Sequence, residues 1–591
     1  MNSVESSPTN PNLTAGASIQ QATAVRNMKL ILLSWYFIFS FAAVFEIVLS
    51  PTSDNIACVL LAWASCLLTG AVMIRGRVTF LFPWSSLMVL VFCLSTCGLP
   101  LLLLPLQDAP LTFHLEVPVA TFSHLFICQM LLLLIHGGYR NAKILRRWEN
   151  GFRLKVLRPL GLLETPSWTE ALAMGGVGLA ASAYVYIILR DRNAGTLDIT
   201  GSVTDKFAQG LYPLTFVPFV VLVYQSAGTA SKGLAFRLGI TLLYALPVFI
   251  LAMAYNTRVI AFYGFANIGM YLALLVISGK MHLHLFKFLI IGGVSLVLLL
   301  TVGSDIALAM RMAREDRAKV AALDLVQETW QLLTAKRDEL AKERALFQGG
   351  GETMEAWYVG SPVLSRFICT HFQDRALAIA LSLSEGDKEK VRQAELDHLL
   401  ATLPNPILKI LASPQINLLD ATFDKNQVEV GGSTIGGYMV YLGGNPKDDG
   451  VRDVLLDENG KMIGDVYSYG GFIGDGFAAY GWGYLLLFGL AAFMLFLYSD
   501  SLYGFMLDRS NAKPVWVSSF AIVGLVNAFV LAYSLTGQSL EGFYTFLFRE
   551  QLQLLLTYTL VFWAVRILGR AFLGGGSKPV RAQGLVVEHV E

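Results

Sequence analysis

Charged residues are scarce in this sequence. Only 15% of its 591 residues are Asp, Glu, Lys or Arg, whereas 55% are hydrophobic, and the mean hydropathy is +0.56. This balance is far too apolar for an ordinary soluble protein. It therefore predicts an integral membrane protein.

Cysteine is also scarce, and its placement excludes two kinds of structure. Of the six cysteines, only Cys369 lies in a polar region, and the others fall inside apolar runs. We therefore predict neither a disulfide framework nor a cysteine metal site. The sequence also lacks an aspartate pair of the kind that holds a divalent metal, so we expect chemistry that is independent of metal.

Long apolar runs are abundant. The hydrocarbon core of a bilayer is about 30 Å thick and asks for roughly 20 apolar residues in a helix. We find twelve stretches of this kind, which predicts an all-α polytopic membrane protein with about twelve transmembrane helices. These stretches centre near Phe39, Trp63, Leu90, Cys128, Leu179, Phe219, Pro247, Met270, Gly293, Phe488, Leu525 and Thr559.

Basic residues mark nearly every second connection between these stretches. They are Arg26, Lys29, Arg75, Arg77, the cluster from Arg140 to Arg158, Lys232, Arg237, Lys280, Lys287, Arg509, Lys513, Arg566, Arg570, Lys578 and Arg581. Loops rich in Lys and Arg stay in the cytoplasm, so we place both termini inside. The loop with Arg190, Arg192 and Lys206 departs from this alternation.

This topology divides the chain into five segments. We predict a disordered cytoplasmic tail (1–27), nine spans (28–303), a large, mainly helical periplasmic loop domain (304–477), three further spans (478–571) and a cytoplasmic tail (572–591). A loop of about 170 residues is large enough to bury a small core of its own.

The first half of this loop predicts a charged helix over residues 307–347. Its apolar residues recur at three-and-four spacing, and we expect that stripe to pack on the rest of the loop. The stripe contains Leu323, Val326, Trp330, Leu333, Leu340 and Phe347.

The second half contains "SRFICTHFQDR", a helical stretch with four residues suited to substrate chemistry: Arg366, His371, Asp374 and Arg375. Positions four apart share one helix face, which places His371 beside Arg375. The loop ends in "YSYGGFIGDGFAAYGWGYLLLFGL". Its glycines allow the backbone either to approach a ligand or to bend tightly into the membrane.

The order of these features resembles that of the O-antigen polymerase (Wzy-type) family and, more broadly, of the exopolysaccharide repeat-unit polymerases of bacteria. "NTRVIAFYGFANIGMYLALLVI" precedes the basic turn "GKMHLHLFK", an apolar span and the large loop with "SRFICTHFQDR". The glycine-rich close of the loop is similar to the start of a late span that this family shares with O-antigen ligases.

The resemblance implies a membrane glycosyltransferase with a GT-C-like fold in the bacterial inner membrane. It would polymerise repeat units carried on polyprenyl diphosphate at the periplasmic face and release polyprenyl diphosphate. Donor, acceptor and membrane lipid would be its partners, together with a chain-length regulator and a flippase. No cofactor and no nucleic acid are implied.

Arg258 sits at a tight junction between two apolar stretches and suits the diphosphate leaving group. Its guanidinium is always ionised and binds phosphate in a bidentate fork. Alternatively, it only anchors its span by snorkelling. The remaining substrate-binding or diphosphate-binding candidates are Asn256, Arg366, Arg375, Tyr469 and Asp475.

His371 is the candidate general base for the acceptor hydroxyl, because an imidazole accepts a proton near neutral pH. Asp374 would orient His371 or replace it. The alternative is that this histidine has a structural role.

Two other functions remain open. A ligase-like transferase would use the same arginines to move glycan to another acceptor. A transporter of polysaccharide or of small molecules would need ionisable groups near the bilayer centre, where the spans offer little beyond Glu46 and His124.

The topology is testable with reporter fusions. A reporter enzyme that works only outside the cytoplasm should be active when fused after Gly350 and silent when fused after Arg147, because the basic connections stay inside. Activity at Arg147 with silence at Gly350 would invert the orientation.

Overall fold

The computed structural model describes residues 11–189, 203–226, 234–256, 258–282, 299–313, 321–348, 367–401, 410, 471–508, 515–536 and 539–573. Within these ranges the chain is mainly helical, and seven helical segments are long and apolar enough to cross a membrane. They are Ile19–Leu49, Ser53–Met73, Pro83–Gln107, Pro118–Asn141, Trp168–Ile188, Phe472–Ser501 and Gly542–Ala571. The predicted class of mainly α-helical membrane protein is confirmed.

Three shorter apolar helices coincide with further predicted spans, namely Phe207–Val221, Gly239–Tyr255 and Phe262–Ile277. The span predicted near Gly293 lies outside the described residues. The number of twelve spans and their orientation stay predictions.

The first part of the chain forms helices that pack side by side. Helix α2 packs on α1 and α6, and α3 packs on α1. A π-helical turn, Leu94–Gly98, joins α4 to α5, and another, Arg153–Leu157, follows α7. The helices are α1 (Pro11–Leu49), α2 (Ser53–Met73), α3 (Gly76–Leu81), α4 (Pro83–Cys93), α5 (Leu99–Leu103), α6 (Pro118–Asn141) and α7 (Lys143–Phe152).

The described part of the N-terminal segment differs from its prediction. Residues 1–27 were predicted to be a disordered tail, and those that the structure describes, from Pro11 onward, lie in α1. Asn27 explains the order of the end of this segment, because its amide donates to the carbonyls of Val276 (2.9 Å) and Met281 (2.8 Å). Gly279, at φ +70°, lies so close to the backbone of Gln20 that a Cβ would collide with it.

Five helices follow, and they pack around a 3-10 turn, Tyr212–Phe216. Helix α8 packs on this turn and on α10, and α11 packs on α12. The helices are α8 (Trp168–Ala183, continued by a π turn over Tyr184–Leu189), α9 (Val203–Leu211), α10 (Val217–Ser226), α11 (Leu234–Tyr255) and α12 (Arg258–Ile277).

The large loop contains five described helices, here called the loop helices: α13 (Ser304–Met312), α14 (Ala322–Thr334), α15 (Arg337–Gln348), α16 (Thr370–Ser382) and α17 (Glu385–Ala401). Helices α13 to α15 share a small core, and α14 packs on α11. The predicted apolar stripe is partly wrong, because Leu323 and Trp330 are exposed. Leu325, Thr329 and Leu332 are buried instead.

The last part of the chain holds the only two strands among the described residues. Strands β1 (Tyr503–Asp508) and β2 (Val515–Phe520) form an antiparallel hairpin in which Tyr503 pairs with Phe520. This hairpin was not predicted. The helices here are α18 (Phe472–Tyr480), α19 (Tyr484–Ser501), α20 (Ile522–Val526), α21 (Ala528–Tyr533), α22 (Leu540–Thr545) and α23 (Gln551–Leu573).

The span predicted near Leu525 is not one continuous helix. Helices α20 and α21 are short and meet at Asn527, whose φ of −115° and ψ of 23° break the helix. All of α20 is buried, and in α21 Ala528, Leu531 and Ala532 are buried while the other three residues are half-buried. Irregular backbone of this kind is tolerated inside a membrane protein where protein surrounds it.

Candidate active site

Loop helix α16 is anchored inside the bundle at its first turn. The backbone N–H of Cys369 donates to the carbonyl of Ser95 (3.0 Å), and the hydroxyl of Thr370 donates to the carbonyl of Thr96 (2.7 Å). Both carbonyls belong to the π turn between α4 and α5. Such turns disturb the regular helical ladder and occur frequently at functional sites.

Asp374 ties the same helix to the start of α6. Its carboxylate accepts the backbone N–H groups of Glu116 (2.6 Å) and Val117 (3.1 Å) and the hydroxyl of Thr121 (2.8 Å). Val117 precedes α6 and provides no side-chain cap of its own. Burial raises the pKa of Asp374 above its usual range, and these three hydrogen bonds oppose that shift. Among the described residues, the hydrogen bonds of Asp374 thus run to residues 116–121, which gives it a positioning role.

Helix α18 rests directly on α16. Gln373 bridges them, accepting from the N–H of Ile473 (3.1 Å) and donating to the carbonyl of Thr536 (3.3 Å). A Cβ at Gly474 would come within 2.2 Å of the backbone of Ala376, so only glycine allows this approach. The glycine-rich motif therefore serves, at this position, to pack two helices together.

The other predicted loop residues have contrasting environments. His371 and Arg375 lie four residues apart on α16 and are both half-buried. Asp475 is fully buried on α18. Arg366 and Tyr469 lie outside the described residues.

The junction between α11 and α12 holds the other two candidates. Asn256 has a φ of +54°, in the left-handed region, and is only 1% exposed. Its amide oxygen and nitrogen are buried and make no hydrogen bond with any described residue. Arg258 is the first residue of α12. A buried amide without a partner is costly, and a residue in a sparsely populated conformation is common at ligand sites.

A path of aromatic rings connects this junction to the start of α16. The rings are half-buried, except for Phe216, which is buried. The centroid distances are Tyr255–Tyr186 4.3 Å, Tyr186–Tyr212 5.6 Å, Tyr212–Phe216 5.4 Å, Phe216–Tyr263 5.7 Å, Tyr263–Phe529 5.8 Å and Phe529–Phe367 6.1 Å. We call these seven rings the aromatic path. It joins the Asn256 junction to the helix of His371 and Arg375.

Asn267 fixes the middle of the aromatic path. Its amide donates to the carbonyl of Val526 (2.5 Å) and accepts from the N–H of Phe529 (2.8 Å). It therefore satisfies the backbone groups that the break at Asn527 leaves open, and it sets the position of the Phe529 ring.

Sequence reasoning missed both Asn267 and the aromatic path. A buried amide inside the apolar stretch "YGFANIGMYLALLVI" was the available signal, because polar residues within spans are often functional. The tyrosines gave no such signal, since they come from separate helices and only the fold brings them together.

No protein-family model, curated protein or solved structure matches the chain. Among the described residues, no group of three or more His, Cys, Asp and Glu side chains has an arrangement that could hold a metal ion.

The anchoring role of Asp374 is testable by substitution. Asp374→Ala should lower the free energy of unfolding by about 3 kcal/mol, because it leaves two buried N–H groups and a hydroxyl without an acceptor. Thermal unfolding of the purified protein in detergent would measure this loss.

Asp387→Ala is the matched control, because among the described residues the carboxylate of Asp387, on α17, accepts hydrogen bonds only from the exposed side chains of Ser384 and Lys390. It should leave the unfolding temperature nearly unchanged. Equal unfolding temperatures for wild type and Asp374→Ala would refute the anchor.

Proposed function

We propose that the chain is a membrane glycosyltransferase that polymerises polyprenyl-diphosphate-linked repeat units at the periplasmic face of the bacterial inner membrane. One observation carries the proposal: the aromatic path runs from the Asn256 junction to the start of α16. The two segments to which the resemblance assigns substrate contacts are therefore joined by one continuous row of ring contacts.

The chemistry of the aromatic path suits a lipid-linked glycan. Tyrosine combines an apolar ring with a hydroxyl, so a row of half-buried tyrosines can pack against sugar rings and bond their hydroxyl groups. The amide of Asn256, which bonds no described residue, would serve a sugar hydroxyl or a phosphate oxygen in this proposal. Arg258, two residues further on, would meet the diphosphate.

The proposed reaction is a displacement at the anomeric carbon of the donor. The acceptor hydroxyl oxygen forms the new bond to that carbon, and the bond from the carbon to the diphosphate oxygen breaks. Its electron pair leaves with the polyprenyl diphosphate, where Arg258 stabilises the growing negative charge. His371 accepts the hydroxyl proton. Asp374 acts in this scheme by holding α16 and not by transferring a proton.

Arg258→Lys tests the leaving-group assignment. Lysine keeps the charge but loses the planar fork, so we expect polymer formation to fall about 100-fold while the protein still inserts into the membrane. The assay is polymer formation by reconstituted protein from a synthetic lipid-linked repeat unit. Arg337→Lys, on exposed loop helix α15, is the control and should remain fully active. Full polymer length in Arg258→Lys would exclude this role.

His371→Gln tests the base, because glutamine can hydrogen bond but does not take up a proton near neutral pH. Sugar transfer should slow about 100-fold with little change in donor binding, since proton removal matters only as the transition state is reached. Arg375→Ala should instead weaken donor binding. Wild-type turnover in His371→Gln would remove the base assignment, and unchanged turnover in both variants would leave this segment with a structural role.

A ligase-like transferase remains the nearest alternative because it would use the same site. The products distinguish the two activities: a polymerase yields a ladder of repeat units from one substrate, whereas a ligase yields a single transfer to a second acceptor. A chain-length regulator and a flippase are proposed partners of the polymerase only.

Transport is a second candidate, and one observation favours it. Ser85 donates to the carboxylate of Asp500 (2.6 Å) and bonds Nε2 of His136 (3.0 Å), and all three residues are buried in the bundle. Ionisable groups within spans often mark ion pathways. Substrate-driven proton movement in sealed vesicles, without glycan transfer, would favour transport.

A further inference from the structure

Helix α7 exposes an apolar pair. Ile144 is 65% exposed and Trp148 is 70% exposed, and they lie four residues apart on one helix face. Tryptophan is enriched where a membrane meets water, because its ring is apolar and its N–H is polar. The exposed face of α7 therefore has the composition of an interfacial helix.

Four exposed cations accompany this pair: Lys143, Arg147, Lys155 and Arg158. None of them forms an ion pair with a described residue. Lys143 and Arg147 lie next to Ile144 and Trp148 in sequence and share their spacing.

The cations of loop helix α17 are different. Lys388 pairs with Glu385 (2.8 Å), and Lys390 pairs with Asp387 (2.9 Å). Positive charge is thus compensated on α17 and left uncompensated on α7.

The other side of α7 is held firmly against the bundle. Glu149 pairs with Arg153 (2.6 Å) and accepts from the hydroxyl of Tyr139 (3.2 Å), and Arg153 donates to the carbonyl of Ser501 (3.2 Å). Burial raises the pKa of Glu149, and Arg153 opposes that shift. These bonds fix the rotation of α7, so the face of Ile144 and Trp148 always points away from the protein.

We propose that this face, together with Lys155 and Arg158, binds anionic phospholipid headgroups. Ile144 and Trp148 enter the boundary between headgroups and acyl chains, while the four cations bond lipid phosphates. Charge complementarity identifies the occupant, because a zwitterionic lipid brings no net negative charge to compensate these cations. The inference does not depend on the glycosyltransferase proposal.

A lipid-selective quenching experiment tests this proposal on the full-length protein. All six native cysteines are buried, so Ile144→Cys offers one reactive thiol for a fluorophore. The labelled protein is placed in nanodiscs that contain equal fractions of phosphatidylglycerol and phosphatidylcholine, with a spin-labelled quencher on one or the other lipid. We expect the phosphatidylglycerol quencher to act at least threefold more strongly at this site.

Two controls make the outcome decisive. A label at Trp330→Cys, on exposed loop helix α14, should show similar quenching by both lipids. Adding Lys143→Gln and Arg147→Gln to the Ile144→Cys protein should reduce the selectivity to about one, whereas Lys388→Gln and Lys390→Gln, an equal change of charge, should leave it intact.

Equal quenching by both lipids at Ile144→Cys would overturn the proposal. The proposal would also be overturned if the preference for phosphatidylglycerol remained after Lys143→Gln and Arg147→Gln. The same holds if Lys388→Gln and Lys390→Gln abolished that preference to the same extent. A surface meant for a protein or a nucleic acid would give the first of these results.

Discussion

Asp374 and Asp500 each accept backbone N–H groups at the start of a helix that lies far away in sequence: Asp500 from within the first turn of α4, and Asp374 from the two residues just before α6. Helix α6 starts after Val117 and α4 starts after Phe82, and neither of these apolar residues can cap a helix. An N–H group left open in a water-free interior costs several kcal/mol. Asp374 satisfies Glu116 and Val117, and Asp500 satisfies Ser85. Two helices therefore depend on carboxylates that the chain supplies hundreds of residues later.

The same contacts make a frame of α4, α6 and α19. At one end of α6, His124 bonds the hydroxyl of Tyr484 (2.8 Å). Towards the other end, His136 bonds Ser85, which in turn bonds Asp500 on α19. Polar bonds of this kind are directional, so they fix the helices in rotation as well as in distance. Asp374 attaches α16 to the start of α6. The position of His371 on α16 is therefore fixed relative to α4, α6 and α19.

The limits of sequence reasoning here follow from the range of the interactions. Apolar composition acts locally, so runs of about 20 residues were sufficient to predict membrane helices. Helical spacing likewise placed His371 and Arg375 together on α16. Contacts between residues far apart in sequence could not be predicted. The hydrogen bonds of Asp374 to the start of α6 give that residue a positioning role that its chemistry alone did not suggest. Asn267 is also distant in sequence from the helix break at Asn527, where it hydrogen bonds the carbonyl of Val526 and the N–H of Phe529.

Asn267 also holds the middle of the aromatic path in one arrangement. A helix broken inside the bundle would ordinarily be loose, because its open carbonyl and N–H groups could find several partners. Asn267 gives each of them one partner and so holds Phe529 between Tyr263 on α12 and Phe367 beside α16. The path thus bridges two separately anchored parts, the frame that carries α16 and the pair of α11 and α12. A glycan bound along it would contact both parts at once. Under the proposed function, its affinity would depend on their spacing, and Asn267 would act on that spacing through Phe529.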